Sequence, residues 1–253
     1  LDITLVWAIL ILFGVAVYVI LDGFDLGVGM LYPFLPNEKD RDTLMGTIGP
    51  VWDGNETWMI FAGASLFAAF PLAYSIILTA VYMPTVLMLL ALILRGVSFE
   101  YRFRATPEKR YIWDLTFTYG SIFAAFFQGV IAGHFISGFE TEGTHYGNGH
   151  FSWITPFNFF AGVGLVLLYA LLGSTWLIKK TDGQLQLRVR QLTQNITMIF
   201  LTVSLAIFIW TLAGNNEIAA RWLSGPQFYL LIVIALLLIA TSLYLFKMIR
   251  TPK

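Results

Sequence analysis

The chain has 253 residues, of which 58% are hydrophobic and 12% charged, with a formal net charge of zero. An average soluble domain carries about 25% charged residues, so the composition excludes a soluble globular protein, and the balanced charge gives no basis for a nucleic acid partner. The chain has no cysteine, which excludes disulfides, zinc–thiolate sites, iron–sulfur clusters and thiol nucleophiles.

Apolar stretches able to cross about 30 Å of hydrocarbon at about 1.5 Å per residue recur along the whole chain. They predict an all-α polytopic membrane protein with seven transmembrane helices, at roughly 3–31, 52–70, 74–96, 113–137, 156–178, 195–213 and 227–247. A single integral membrane domain is expected, with a first helix bundle over about 1–137 and a second, incomplete bundle over about 156–253. The first run is too long and too acid-flanked for a signal peptide. The chain begins at Leu1 rather than Met, from which a trimmed start is expected.

The first run ends in "LDGFDLGVGM", where Asp22 and Asp25 stand three residues apart and therefore on one helix face. Gly23 and Gly27 give the same segment a G-x-x-x-G face, with Gly29 beyond, that lets another helix approach closely. After the connection "YPFLPNEKDRD" the second run opens as "GPVWDGNETW", placing Asp53 and Glu56 in its first turn or two, with Trp52 positioned to pack over the acids. The third run contains Pro84 and closes at Arg95, before "FEYRFRATPEKR". The fourth carries His134 near its far end and leads into the Gly-rich connection "SGFETEGTHYGNGHFSWITP", and three further runs follow.

Fourteen of the fifteen Lys and Arg residues fall on one side of this arrangement, Arg250 and Lys253 among them, and Arg221 stands alone on the other. By the positive-inside rule the basic side is cytoplasmic and the N-terminus is outside. Asp22 and Asp25 then lie in the inner half of the first helix, and Asp53 and Glu56 at the inner start of the second, so four acids share one neighbourhood. Carboxylates at such depth must be paired, hydrated or neutralised, and they usually mark ion or proton routes. Two structural alternatives stand beside a route. Asp53 and Glu56 also fit an N-cap with its capping-box acid, and Asp22 also fits an ion pair with Arg95.

Other chemistry has little to stand on. His134 with Met59 or Met198 is conceivable as a haem ligand pair, but a lone histidine at a helix end fits an interfacial residue better. His145 and His150 lack a compact metal spacing, so no metal site is expected. Trp7, Trp153, Trp210 and Trp222 on one side and Trp58, Trp113 and Trp176 on the other suit the two aromatic belts of a membrane protein.

Taken together, "LDGFDLGVGML", "GPVWDGNETWMIFAGASLFAAFPLAYS" and "LRGVSFEYR" resemble subunit II of the cytochrome bd family of bacterial quinol oxidases. Beyond residue 105 the likeness rests on helix spacing and on "WD" at 113–114 and "TPFN" at 155–158. The resemblance implies a multi-pass subunit of the bacterial cytoplasmic membrane, with a periplasmic N-terminus, that supports quinol oxidation and reduction of O2 to water. It also implies a partner subunit I carrying two haems b, a haem d and the quinol site, and small single-span accessory subunits. It implies further that no haem is ligated by this chain and that a bound quinone serves as a structural ligand. Acids matching Asp53 and Asp25 are implied to line a proton route from the cytoplasm, with Glu56 and Asp22 adjusting it and Trp52, Arg95, Gly23 and Gly27 in support. The family pattern has nine helices, so two more are expected beyond Lys253. A proton-coupled secondary transporter would also place acids on adjacent helices and is the alternative; a purely structural membrane scaffold is a third reading.

Overall fold

The computed structural model of the chain describes residues 2–35 and 37–250. Leu1, Lys253 and the Arg250 side chain, the last two counted above on the basic side, lie outside the described residues. The order of elements is α1 (Ile3–Met30), α2 (Glu38–Ile48), α3 (Trp52–Ala69), α4 (Pro71–Ala80), α5 (Tyr82–Arg102), α6 (Arg110–Ser137), β1 (Thr141–Glu142), β2 (His145–Tyr146), α7 (Pro156–Lys180), α8 (Gly183–Gly214), α9 (Asn216–Trp222) and α10 (Pro226–Arg250). Among the described residues six of these are long and apolar enough to cross a membrane: α1, α5, α6, α7, α8 and α10. The molecule is an all-helical polytopic membrane protein; its one small hairpin, β1 and β2, sits in the Gly-rich connection.

The sixth expected span begins earlier than 195, because α8 starts at Gly183 and carries Arg188 and Arg190 on the helix; three other features depart from the expectation, each for a local reason. The second expected span is helical as α3, but its polar first third, "WDGNET", keeps it below the apolarity of the other six. The third expected span is not continuous from 74, because the chain breaks at Val81 between α4 and α5. Pro84 has no N–H to give the Ala80 carbonyl, and its ring crowds that oxygen. It is tolerated only inside the first turn of a new helix, where Tyr82 starts one. The short α4 packs against α3 and against β2, so it lies at the hairpin end rather than along the bundle. Finally, the connection after α1 contains a helix of its own: α2 turns Leu44, Met45 and Ile48 into an apolar cluster with Leu31, Leu35 and Phe117 at the basic end.

Capping follows sequence closely elsewhere. Asp2 accepts the Thr4 N–H at 3.0 Å to start α1, Thr155 accepts the Asn158 N–H at 3.1 Å ahead of Pro156 to start α7, and Asn215 does the same for Ile218 in α9. α6 ends at Gly138, whose φ of +76° suits glycine alone. α1 lies at the centre of the packing, touching α3, α6 and α7, while α7 bridges α1, α6 and α8; α10 rests mainly on α8 and α9. Arg190 of α8 donates to the last carbonyls of α10, those of Met248 and Ile249.

Candidate functional site

The C-terminal half of α1 is where this packing buries polarity. Asp22 and Asp25 are completely inaccessible, as are Leu26 and Val28 beside them. The glycines explain how. A Cβ on Gly27 would overlap the carbonyl oxygen of Tyr169, and one on Gly173 would strike the α1 backbone in return, so only glycine at both positions lets α1 and α7 touch. A Cβ on Gly23 would press on the Tyr169 ring at 2.8 Å. Gly23 and Gly27 therefore form the close-approach face the sequence suggested.

Arg95, itself 1% exposed, reaches across from α5 and binds two acids at once. Its Nη1 lies 3.4 Å from Asp22 Oδ1 and 2.6 Å from Glu56 Oε1. The guanidinium carbon sits 5.9 Å from the centre of the Trp52 ring, so Trp52 covers the arginine rather than the aspartates. The Asp22–Arg95 pair raised as a structural alternative is present, but Glu56 shares it. Asp25 has a different partner: its Oδ2 accepts from Asn55 Nδ2 at 2.7 Å. The same nitrogen lies 3.4 Å from the Leu21 carbonyl, one helical turn back on α1.

Asp22 and Glu56 thus share one arginine, and Asp25 stands beside them on Asn55. The cluster carries negative charge that a proton can neutralise. Asp22 Oδ2, Asp25 Oδ1, Arg95 Nε and Arg95 Nη2 are buried and have no hydrogen-bond partner among the described residues; polar atoms at such depth are ordinarily satisfied by ordered water. One turn toward the hairpin end, the Tyr18 hydroxyl accepts from Gln128 at 2.7 Å and Gln128 accepts from Tyr169 at 2.8 Å, tying α1, α6 and α7 together beside the acids.

Asp53 stands apart. It is exposed on α3 and makes no hydrogen bond or ion pair among the described residues. The N-cap of α3 is Val51, with no side-chain cap, so the capping-box alternative for Asp53 and Glu56 is not what the chain adopts; Glu56 is taken by Arg95 instead. Asn55, which binds Asp25, is the buried polar residue of α3 that the sequence analysis does not single out. The buried face of α3 follows Asn55, Ala62 and Ser65 with Trp52 and Met59 half-buried beside them, a helical period that was readable. Asp53, two residues from Asn55 and so about 200° around the helix, faces away from that seam.

A second buried network joins Arg102, Asp114, Asp42 and Arg41. Arg102 falls in the last turn of α5, seven residues and two turns after Arg95, rather than in the following loop. Its Nε binds Asp114 Oδ1 at 2.5 Å, it pairs with Asp42 of α2, and Arg41 binds the other Asp114 oxygen at 2.9 Å. This network fastens α2 over the basic end. At the opposite end His134 is buried rather than interfacial, with Tyr146 Oη and Asn158 Nδ2 each 3.5 Å from a ring nitrogen.

Comparison with known proteins gives these features a context. The family model described as cytochrome bd terminal oxidase subunit II matches residues 3–252. The chain is 33% identical over 216 residues to cytochrome bd-I ubiquinol oxidase subunit 2 of Escherichia coli K12, covering 83% of this chain and 57% of that protein. Cytochrome bd ubiquinol oxidase subunit 2 of Bacillus subtilis strain 168 is 34% identical over 237 residues, 92% of this chain and 70% of the relative. A probable cytochrome oxidase subunit 2 of Haemophilus influenzae is 31% identical over 220 residues, 84% and 58% respectively. The chain thus spans little more than half the length of the first of these relatives.

Proposed function

Because this chain belongs to the cytochrome bd terminal oxidase subunit II family, we propose that it serves as the non-haem subunit of a bacterial quinol oxidase that reduces O2 to water. It would do so beside a haem-bearing subunit I, contributing scaffold and a proton-uptake route. The haems b and d of the partner would supply the electron transfer and oxygen chemistry. The residues here do not suit a haem: His134 is turned to Tyr146 and Asn158, and Met198 is exposed on α8. A quinone and lipid are proposed as further ligands and small single-span subunits as further partners.

In the membrane we count α3 as a seventh crossing, since its 18 residues extend about 27 Å and its polar first third lies against Arg95 and Asp25. The charge asymmetry of the connections supports a periplasmic N-terminus and an acid cluster toward the cytoplasm. Protons would enter past exposed Asp53, meet Glu56 three residues further along α3, and pass to Asp25 on α1, while Asp22 holds Arg95. What carries the proposal is the cluster of buried Asp22 and Asp25 with half-buried Glu56, in which Arg95 binds Asp22 and Glu56 and Asn55 binds Asp25.

The transporter alternative gains nothing from the one broken span: its break at Val81 lies at the hairpin end, where α4 meets β2, far along the bundle from the acids. The test is turnover of the assembled oxidase carrying Asp25→Asn or Asp53→Asn. Each should lower quinol-driven oxygen consumption by at least about tenfold, the scale of a lost proton-transfer group, with haem spectra intact. Full turnover of both variants across about pH 6–9, on either side of neutral, would refute the route.

A further inference from the structure

Asn55 is buried, neutral and outside every role assigned so far, and its contacts are unusually directive. We infer that Asn55 decides which oxygen of Asp25 carries a proton, holding Oδ2 as the carbonyl oxygen so that protons arrive and leave only at Oδ1. The inference rests on the proton-route reading of Asp25 and assigns it a positioning residue.

The orientation of the Asn55 amide follows from its two neighbours. Asp25 Oδ2 at 2.7 Å and the Leu21 carbonyl at 3.4 Å are both acceptors, so the nitrogen, with two N–H groups, must face them. Turning the amide over would set oxygen against the Leu21 carbonyl. A protonated carboxyl has one O–H oxygen and one carbonyl oxygen. A proton on Oδ2 would point at an N–H donor, whereas a proton on Oδ1 leaves Oδ2 free to keep accepting. Oδ1 is the buried oxygen with no hydrogen-bond partner among the described residues, alongside Asp22 Oδ2 and Arg95 Nε and Nη2.

The charged groups acting on Asp25 are Asp22 of its own helix, Glu56 of α3 and Arg95 of α5; Asp53 of α3 bears on Glu56 in turn. α7 and α6 contribute the neutral Tyr169 and Gln128, and α1 adds Tyr18. None of these donates to Asp25 Oδ2. The Asn55 bond can therefore persist whether Asp25 is protonated or ionised. Asp25 can cycle its proton without α1 and α3 letting go of one another.

The experiment is infrared difference spectroscopy on the assembled oxidase with its haems, titrated with pH. The carboxylic carbonyl band that Asp25→Asn abolishes should lie, in the unmodified complex, at the lowered frequency of a hydrogen-bonded carbonyl. Asn55→Ala should move that band to higher frequency. The pH at which it disappears should rise by about one to two units, the worth of one hydrogen bond to a charged group. Asn55→Gln, which keeps the amide, should restore part of both shifts, as a merely space-filling role would not. A wild-type band at the frequency of an unbonded carbonyl overturns the inference and needs no Asn55 variant to assemble. So does an Asn55→Ala band that stays in place, or an Asp25 band that is absent at every pH. If Asp25→Asn keeps full turnover, the proton-route reading itself fails, a result distinct from a failure at Asn55 alone.

Discussion

Removing Arg95 tests whether the acid cluster is held by charge. The arginine lies 3.4 Å from Asp22 and 2.6 Å from Glu56. At an effective dielectric of about 20 these separations correspond to gross attractions of about 5 and about 6 kcal/mol. Desolvation of groups this buried offsets most of that, so the pair contributes little net stability; the cost appears when one partner is taken away. Arg95→Gln leaves Asp22, which has no access to solvent, without its cation, and should destabilise the chain by about 3–5 kcal/mol. Asp22→Asn leaves Arg95 with Glu56 and should cost about 1.5–3 kcal/mol. Combining the two removes both sides of the buried pair, and the remaining Glu56 side chain is 24% exposed and can hydrate. The double variant should therefore be more stable than the sum of the single losses predicts, by at least about 1 kcal/mol. Unfolding of the oxidase in detergent or nanodiscs, run as a double-mutant cycle, measures this. Additivity within about 0.5 kcal/mol, or an Arg95→Gln protein as stable as the parent, would show that charge does not organise the cluster.

Two further outcomes are expected. Gly27→Ala should destabilise by about 1–3 kcal/mol through overpacking, because its Cβ meets the Tyr169 backbone, whereas Gly46→Ala, with nothing within 4 Å, should be neutral or stabilising by up to about 1 kcal/mol; thermal unfolding of the two variants compares them directly. A topology reporter inserted in the α7–α8 connection at Asp182 should register as cytoplasmic and one at Asn148 as periplasmic, and the reverse pattern would invert the depth assigned to the acids.

Much of the fold could be read because a bilayer leaves the backbone few choices. Length and apolarity placed α1, α3, α6, α7 and α10 within a few residues, since a helix in lipid must satisfy its own hydrogen bonds, whereas α5 runs over Tyr82–Arg102 rather than 74–96 and α8 starts at Gly183 rather than near 195. The same rule says nothing where the chain leaves the lipid, and α2 and α4 were missed there. α2 is short and largely polar, and only the spacing of Leu44, Met45 and Ile48 betrays the apolar face that closes the basic end. In the sequence alone Pro84 falls within one apolar run. Its position four residues after Ala80 was the sign that α4 and α5 are separate helices.

At the site, the charged residues were legible because charge in an apolar helix is conspicuous, and the three-residue step between Asp22 and Asp25 put them on one face. Their partners were less so. Arg95 could be guessed as the cation at the right depth, but its division between Asp22 and Glu56 depends on how α1, α3 and α5 meet. Charge also misled: Asp53 drew attention over Asn55, although neutral Asn55 continues the seam of Trp52, Met59 and Ala62 and Asp53 does not. In a membrane helix the angle at which a polar residue leaves the axis decides its role before its charge does. A carboxylate turned off the buried seam is placed to meet water or a partner, and an amide turned into the seam is placed to hold a neighbour. On α3 those two positions are occupied by Asp53 and Asn55, which is why the exposed acid suits an entrance and the buried amide suits control of Asp25.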